Sequence, residues 1–236
     1  MTILITGASK GIGSELALQI ASEGHKLILI ARSEDLLKKV VGKCNKIAAS
    51  EIAVPIVYDL SNLLIDSQDF SDKIAEITDT VDILVNNAAI LIKKPFHEIL
   101  PREAREVFEA NYFAPAELIR ICLPLLKNSA NPAIINVTSM AAVQGASKFP
   151  GLSAYSASKA ALAALTECLA VELKEDNIKV NALAFGSVQT EMLAEAFPGL
   201  KAPASAFQMA AFFKWFVLEG WKRFNGKMLP VSESTP

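Results

Sequence analysis

Histidine occurs twice in 236 residues and cysteine three times. Cys44, Cys122 and Cys168 are odd in number and far apart, so neither a zinc site nor a disulfide framework is expected. They read as three buried thiols of a chain kept in a reducing, cytoplasmic compartment. A surplus of one charge sign is missing too. Lys plus Arg is 23 against 25 for Asp plus Glu, a net charge of -2. That argues against nucleic acid or an anionic membrane as the main partner, since both require clustered positive charge. No apolar run approaches about 18 residues, so no transmembrane helix is expected. The N-terminus lacks a basic region followed by an apolar stretch, so no secretory signal is expected. No Pro/Ser-rich linker, repeat or low-complexity tract divides the chain, and 1–236 reads as one domain carrying its own substrate site.

Apolar residues make up 52% of the chain and charged residues 20%, the balance of an ordinary globular protein rather than a disordered one. Short runs at 2–6, 26–31, 52–57, 82–85, 133–137, 178–184 and 227–231 are rich in Ile, Val and Leu without strict alternation. This is the pattern of strands buried on both faces. Helical spacing fills 14–22, 36–48, 102–126 and 153–175 between them. Alternating strands and helices predict an α/β fold built on one parallel sheet. Right-handed crossovers make it a doubly wound (Rossmann) sheet of about seven strands with helices on both faces. The last six residues, 231–236, are expected to be loose.

The first strand runs into Thr6-Gly7-Ala8-Ser9-Lys10-Gly11-Ile12-Gly13, and a helix follows. Glycines let the backbone turn sharply and approach a diphosphate, and the helix N-terminus favours its charge. Alone, such a stretch also reads as a tight turn. Following a strand and opening a helix within a βαβ unit, it points to a dinucleotide.

Three motifs in order carry a family resemblance. They are the spacing Gly-x-x-x-Gly-x-Gly, Asn86-Asn87-Ala88-Ala89 after the fourth strand, and Tyr155-Ser156-Ala157-Ser158-Lys159. Together they resemble the short-chain dehydrogenase/reductase family over nearly the full length. The resemblance implies an oxidoreductase whose nicotinamide cofactor is held by Gly7, Ser9, Lys10, Gly11, Ile12, Asn87 and Ala88, with Val188 and Thr190 at the nicotinamide.

The second strand ends in Ala31-Arg32, with no acid before Glu34. An acid at that place suits the ribose 2′-hydroxyl of NAD, and an arginine suits a 2′-phosphate. Arg32 with Lys10 therefore predicts NADPH, through charge-assisted hydrogen bonds. The alternative is two solvated surface side chains. Asp59-Leu60 resembles the family's contact to the adenine ring, while Asp59 reads equally as a turn cap.

Tyr155 and Lys159 lie four residues apart in a helical segment, so both project from one face. A neighbouring cation stabilises phenolate, which lowers the phenol pKa and makes it a usable acid/base. Ser139 closes the segment 134–139 at the C-terminal edge of a predicted strand, where ligands sit. The resemblance makes it the hydroxyl that hydrogen-bonds the reacting carbonyl, in preference to Thr138. It also makes Asn111 the amide that holds a water linking Lys159 to solvent. Otherwise Asn111 is a buried amide satisfying its own helix. Tyr155 and Lys159 are thus expected to serve both catalysis and cofactor binding, with Tyr155 as general acid.

Some features depart from the family pattern. The gap from Ser139 to Tyr155 is a little long, and 146–152 reads as a flexible stretch that lines the substrate mouth or forms a surface bulge. Ala89 stands where the family has glycine, so the turn there avoids φ > 0 or absorbs strain. Phe185 replaces a proline, and either shapes the nicotinamide pocket or packs in the core. The segment from Glu191 to Leu200 reads as a short, apolar lid, with the next helix starting near Pro203. An open site of that kind suits a bulky or carrier-tethered substrate.

The alanine-rich helix from Ser153 matches one that the family uses in a dimer-forming bundle. The aromatic segment from Phe207 to Trp221 is apolar around much of its circumference, which suits an interface, a wide pocket or core packing. A homodimer or homotetramer is expected. The leading reading is an NADPH-dependent reductase of a small-molecule ketone or 3-oxoacyl thioester. The nearest subgroups are 3-oxoacyl-(acyl-carrier-protein) reductases and sepiapterin-reductase-like small ketone or pterin reductases. The alternatives are a regulatory or scaffold protein that binds NADP(H) without turnover, and an NADP-dependent alcohol dehydrogenase.

Overall fold

The structure is a computed structural model and describes residues 1–232. The chain opens with β1 (Thr2–Thr6), α1 (Gly11–Ala21), β2 (Lys26–Ala31), α2 (Glu34–Ala48) and β3 (Ala53–Val57). A 3-10 turn over Leu60–Leu64 leads to α3 (Gln68–Ala75), β4 (Ile83–Asn86) and α4 (Pro101–Phe108). A π-helical turn, Glu109–Phe113, joins α4 to α5 (Ala114–Lys127), and β5 (Ala133–Ser139) follows. The remainder is α6 (Ser153–Glu172), β6 (Lys179–Phe185), β7 (Val188–Gln189), α7 (Glu191–Ala196), β8 (Ala204–Ser205), α8 (Ala206–Leu218) and β9 (Met228–Val231).

Seven strands form one sheet in the order β3-β2-β1-β4-β5-β6-β9, every pair parallel. The missing alternation in the strand sequences has its cause here. Ile3 and Ile5 of β1 join a core layer with Leu16 and Ile20 of α1 and Phe213 of α8. Leu4, between them, joins the opposite layer with Leu118 and Cys122 of α5. Successive side chains of a strand point to opposite faces, so a strand covered on both faces must be apolar throughout. Chain order reverses between β1 and β4, and beyond their C-terminal ends lies the crevice in which open α/β sheets bind ligands.

The first two strands match their sequence boundaries, while β5 and β6 run on to Ser139 and Phe185. The single helix expected over 102–126 is interrupted by the π-helical turn. Pro115 is the reason: it has no N–H to give to the Asn111 carbonyl four residues earlier. No helical period announces α3, where only Phe70 and Ile74, one turn apart, are buried in an otherwise polar segment. Nor does one announce α7, whose six residues are too few to show a period. Cys44 and Cys122 are buried as expected, but Cys168 is exposed, because it lies on the outer face of α6. Val231, expected to be loose, is the last residue of β9 and pairs with Phe185. Residues 233–236 of that expected loose end lie outside the described residues. Among the described residues no helix is long and apolar enough to cross a membrane.

Candidate active site

The sequence-predicted site residues, Asn111 excepted, line one cleft of about 590 Å³ at the C-terminal edge of the sheet. One end is built from β1 and α1. Gly7 takes φ +66, and a Cβ on Gly13 would lie 2.4 Å from the Gly7 carbonyl oxygen, so only glycine admits this approach of helix to loop. α1 then begins with no side-chain cap and no acid in its first turn. Its first N–H groups, which have no partner within the helix, are left for a ligand in the crevice.

The loop is tied to β4 through Thr6. Its hydroxyl accepts from the backbone N–H of Asn87 (3.0 Å) and of Ala88 (2.9 Å). Asn87 Nδ2 donates back to the Thr6 carbonyl at 2.9 Å. Thr6 was not singled out from the sequence. Its signal was a hydroxyl at the last position of an otherwise apolar strand, and its role is to brace the two strand ends flanking the crevice. Ala89 needs no glycine, since its φ is not positive.

At the adenine-side end, Arg32 and Asp59 face each other at 3.7 Å, with side chains 68% and 43% exposed. A pair this exposed contributes little to stability, which leaves Arg32 available to a ligand. Asp59 caps the 3-10 turn: Oδ1 accepts from Ser61 N at 3.0 Å and Ser61 Oγ at 2.9 Å. The capping reading of Asp59 therefore holds, and the residue lines the cleft as well. Thr190 accepts from Leu193 N at 3.3 Å and so caps α7. Val188 is buried on β7.

At the other end, β5 delivers Ser139 and α6 delivers Tyr155 and Lys159. Ser139 and Thr138 separate clearly. Thr138 is buried and donates to the Leu183 carbonyl (3.3 Å), while Ser139 is part-exposed at the strand end, its Oγ accepting from Ala141 N at 3.1 Å. Tyr155 is 9% exposed, its ring packed in a small cluster with Val107 and Leu152. Lys159 is 1% exposed and donates to the Val137 carbonyl at 2.7 Å.

The electrostatics differ from the sequence expectation. Burial raises the Tyr155 phenol above its ordinary value near 10, and a hydrogen bond with Ser139 opposes it in part. Burial also lowers the Lys159 ammonium, to about 7. The same burial pushes the Cys122 thiol up to about 12 and leaves it inert.

Asn111 is fully buried in the π-helical turn. Its Oδ1 accepts from Ile90 N at 2.9 Å, and its Nδ2 donates to the Ile90 carbonyl (2.9 Å) and to Ser158 Oγ (3.0 Å). Both amide hydrogens are used, and neither bond goes to its own helix. The Asn111 side chain thereby clamps the loop after β4 to α6, one residue before Lys159. A second amide network is buried nearby, with Asn86 Nδ2 donating to Asn136 Oδ1 and Asn136 Nδ2 donating to Thr166 Oγ1, both at 2.9 Å. Those asparagines fix β4, β5 and α6 relative to one another.

Phe185 belongs to the core and also to the cleft wall. It packs edge-on against Phe213 with ring centres 5.2 Å apart, and it lines the cleft. The stretch 146–152 borders the cleft mouth through Phe149 and Leu152. Phe149 meets Phe197 from the segment after α7 at 6.1 Å, and Lys93 sits 3.9 Å above the Phe197 ring. Nothing in the sequence marks the meeting of these three loops.

Residues 1–201 match the family model for short chain dehydrogenases. A fatty acyl-CoA reductase from Acinetobacter baylyi is 34% identical over 193 residues, covering 81% of this chain and 63% of that protein. A fatty acyl-CoA reductase from Mycobacterium tuberculosis is 34% identical over 211 residues, covering 86% and 69%. The chain thus spans only about three-fifths of the A. baylyi protein's length. Among solved structures, a short chain dehydrogenase from Escherichia coli complexed with NADPH superposes with a TM-score of 0.87 at 29% identity, covering 97% of this chain and 95% of that one. A 3-ketoacyl-(acyl-carrier-protein) reductase from Brucella melitensis complexed with NADH superposes at 0.85, covering 98% and 96%; at 24% identity that likeness is one of fold.

Proposed function

Because this chain belongs to the short chain dehydrogenase family, we propose that it reduces a ketone, free or as the 3-oxo group of an acyl thioester, to an alcohol with NADPH. One observation carries the reading: Ser139, Tyr155 and Lys159 converge at one end of a cleft whose other end is an uncapped helix N-terminus closed by glycine. The dinucleotide fits this cleft. The Gly7–Gly13 cradle would take its diphosphate, Arg32 and Lys10 would hold its 2′-phosphate, and Val188 and Thr190 would border its nicotinamide. When bound, the nicotinamide supplies hydride to the carbonyl carbon.

The chain's own groups handle the oxygen. Charge grows there as the carbon is reduced, and the Ser139 and Tyr155 hydroxyls donate hydrogen bonds to it. The raised phenol pKa keeps Tyr155 protonated at neutral pH, the form a general acid needs. Once the proton has left, Lys159 one turn away stabilises the phenolate in its protonated form. Asn111 is a positioning residue that holds Ser158 and thereby the turn carrying Lys159.

The carbonyl end is walled by Leu91, Phe149, Leu152, Met192 and Phe197. That wall suits a substrate with an apolar chain, consistent with the activity named for the A. baylyi relative. Following NADPH consumption with acetoacetyl and longer-chain 3-oxoacyl thioesters, diketones and pterins tests the class. Turnover of the chain-bearing carbonyls is the expected result, and turnover of none of the panel overturns the proposal.

The coenzyme preference rests on Arg32. Arg32→Ala should raise KM for NADPH about tenfold, the loss of one charge-assisted contact, and leave KM for NADH within about twofold. Wild-type protein using NADH as efficiently as NADPH contradicts it. We further propose a homodimer or homotetramer, on the exposed alanines of α6 and on Phe207 and Trp215 of α8, which are exposed. Sedimentation should give at least a dimer at micromolar concentration, and a monomer refutes it.

A further inference from the structure

Glu191 is the first residue of α7 and lines the same cleft as Gly11 and Ile12. A Cβ built on Gly11 would lie 3.7 Å from Glu191 Oε2 and 3.5 Å from Thr190 Cγ2. The carboxylate therefore stands against the first turn of α1. That turn has no acid of its own and no side-chain cap. Its position is fixed by Thr190, whose hydroxyl caps α7 and so sets where the next side chain starts. Among the described residues no basic group forms an ion pair with Glu191, although Arg32 and Lys10 line the cleft. Arg32 is turned to Asp59 instead.

A carboxylate beside an uncapped helix N-terminus is favourable while the cleft holds no other anion. It becomes unfavourable when a diphosphate arrives at the N–H groups of that turn, because like charges then lie close together. We infer that Glu191 is a resident counter-anion of the cofactor cleft. It occupies the field of α1 when the cleft is free and opposes the dinucleotide's diphosphate, limiting affinity and hastening release. The inference rests on the dinucleotide reading of the cleft but not on the coenzyme preference or on the substrate. Repulsion from the diphosphate acts alike on NADPH and NADH, whereas Arg32 acts only on the 2′-phosphate.

Fluorescence titration of the whole chain with NADPH and with NADH tests it. Glu191→Gln should tighten both Kd values by a similar factor, about three- to tenfold, and the gain should shrink at high salt if it is electrostatic. Glu195→Gln, on the same helix but outside the cleft lining, should change neither. As a second measurement, the rise in Tm on adding NADPH should be larger for Glu191→Gln than for wild type. If Gln disturbs α7, Glu191→Asp, which withdraws the charge by one methylene, should tighten both cofactors in the same direction by less. Unchanged or weaker binding of both cofactors overturns the inference, as does a gain confined to NADPH. Binding of neither cofactor by the wild-type chain would instead overturn the dinucleotide reading, and this inference with it.

Discussion

Tyr155→Phe should lower kcat by about a thousandfold while leaving the Kd for NADPH within about twofold. The change removes one oxygen and keeps the ring that packs with Val107 and Leu152, so the fold should survive it. What is lost is the proton donor and one of two hydroxyls facing the developing oxyanion. General acid catalysis and a preorganised donor together account for about 4 kcal/mol of barrier, or roughly three decades of rate. Ser139 remains and should sustain a residual rate above background. Steady-state kinetics with the best carbonyl substrate, beside a fluorescence titration of NADPH, gives both numbers. Near-normal kcat would remove Tyr155 from the chemistry.

Gly13→Ala should abolish measurable NADPH binding and lower stability by about 2–4 kcal/mol, the cost of forcing a methyl into a site with no room. The added Cβ would meet the Gly7 carbonyl oxygen at 2.4 Å and Asn87 Nδ2 at 2.5 Å. Neither neighbour yields cheaply. The first is backbone, and the second already donates to the Thr6 carbonyl at 2.9 Å. Relief requires α1 to move away from the loop, which opens the cradle that would take the diphosphate. A thermal melt and a cofactor titration report the two effects separately. Wild-type affinity in the alanine variant would show that the helix can retreat without cost.

The sheet was legible because burial on both faces demands continuous apolar strands, and Thr2–Thr6 and Lys26–Ala31 show that plainly. The site's two ends were legible because each is a local motif: glycines spaced along one loop, and a phenol and an amine one turn apart. What the sequence hid was long-range. The grip of Asn111 on Ile90 and Ser158 depends on loops and helices meeting in space. The pKa values were hidden for the same reason. Burial of Lys159 is set by β5 and by the rest of the core, so its fall to about 7 cannot be read from its spacing to Tyr155. The joining of Lys93, Phe149 and Phe197 has no sequence signature, because three separate loops supply one residue each.

In the proposed reaction the carbonyl carbon receives its hydrogen from the cofactor while Tyr155 protonates the oxygen. Turnover with NADPH deuterated at the transferred position of the nicotinamide, followed by mass spectrometry of the product, tests it directly. Each NADPH oxidised should yield one alcohol carrying a single deuterium on the former carbonyl carbon. NADPH oxidation without labelled alcohol would contradict it.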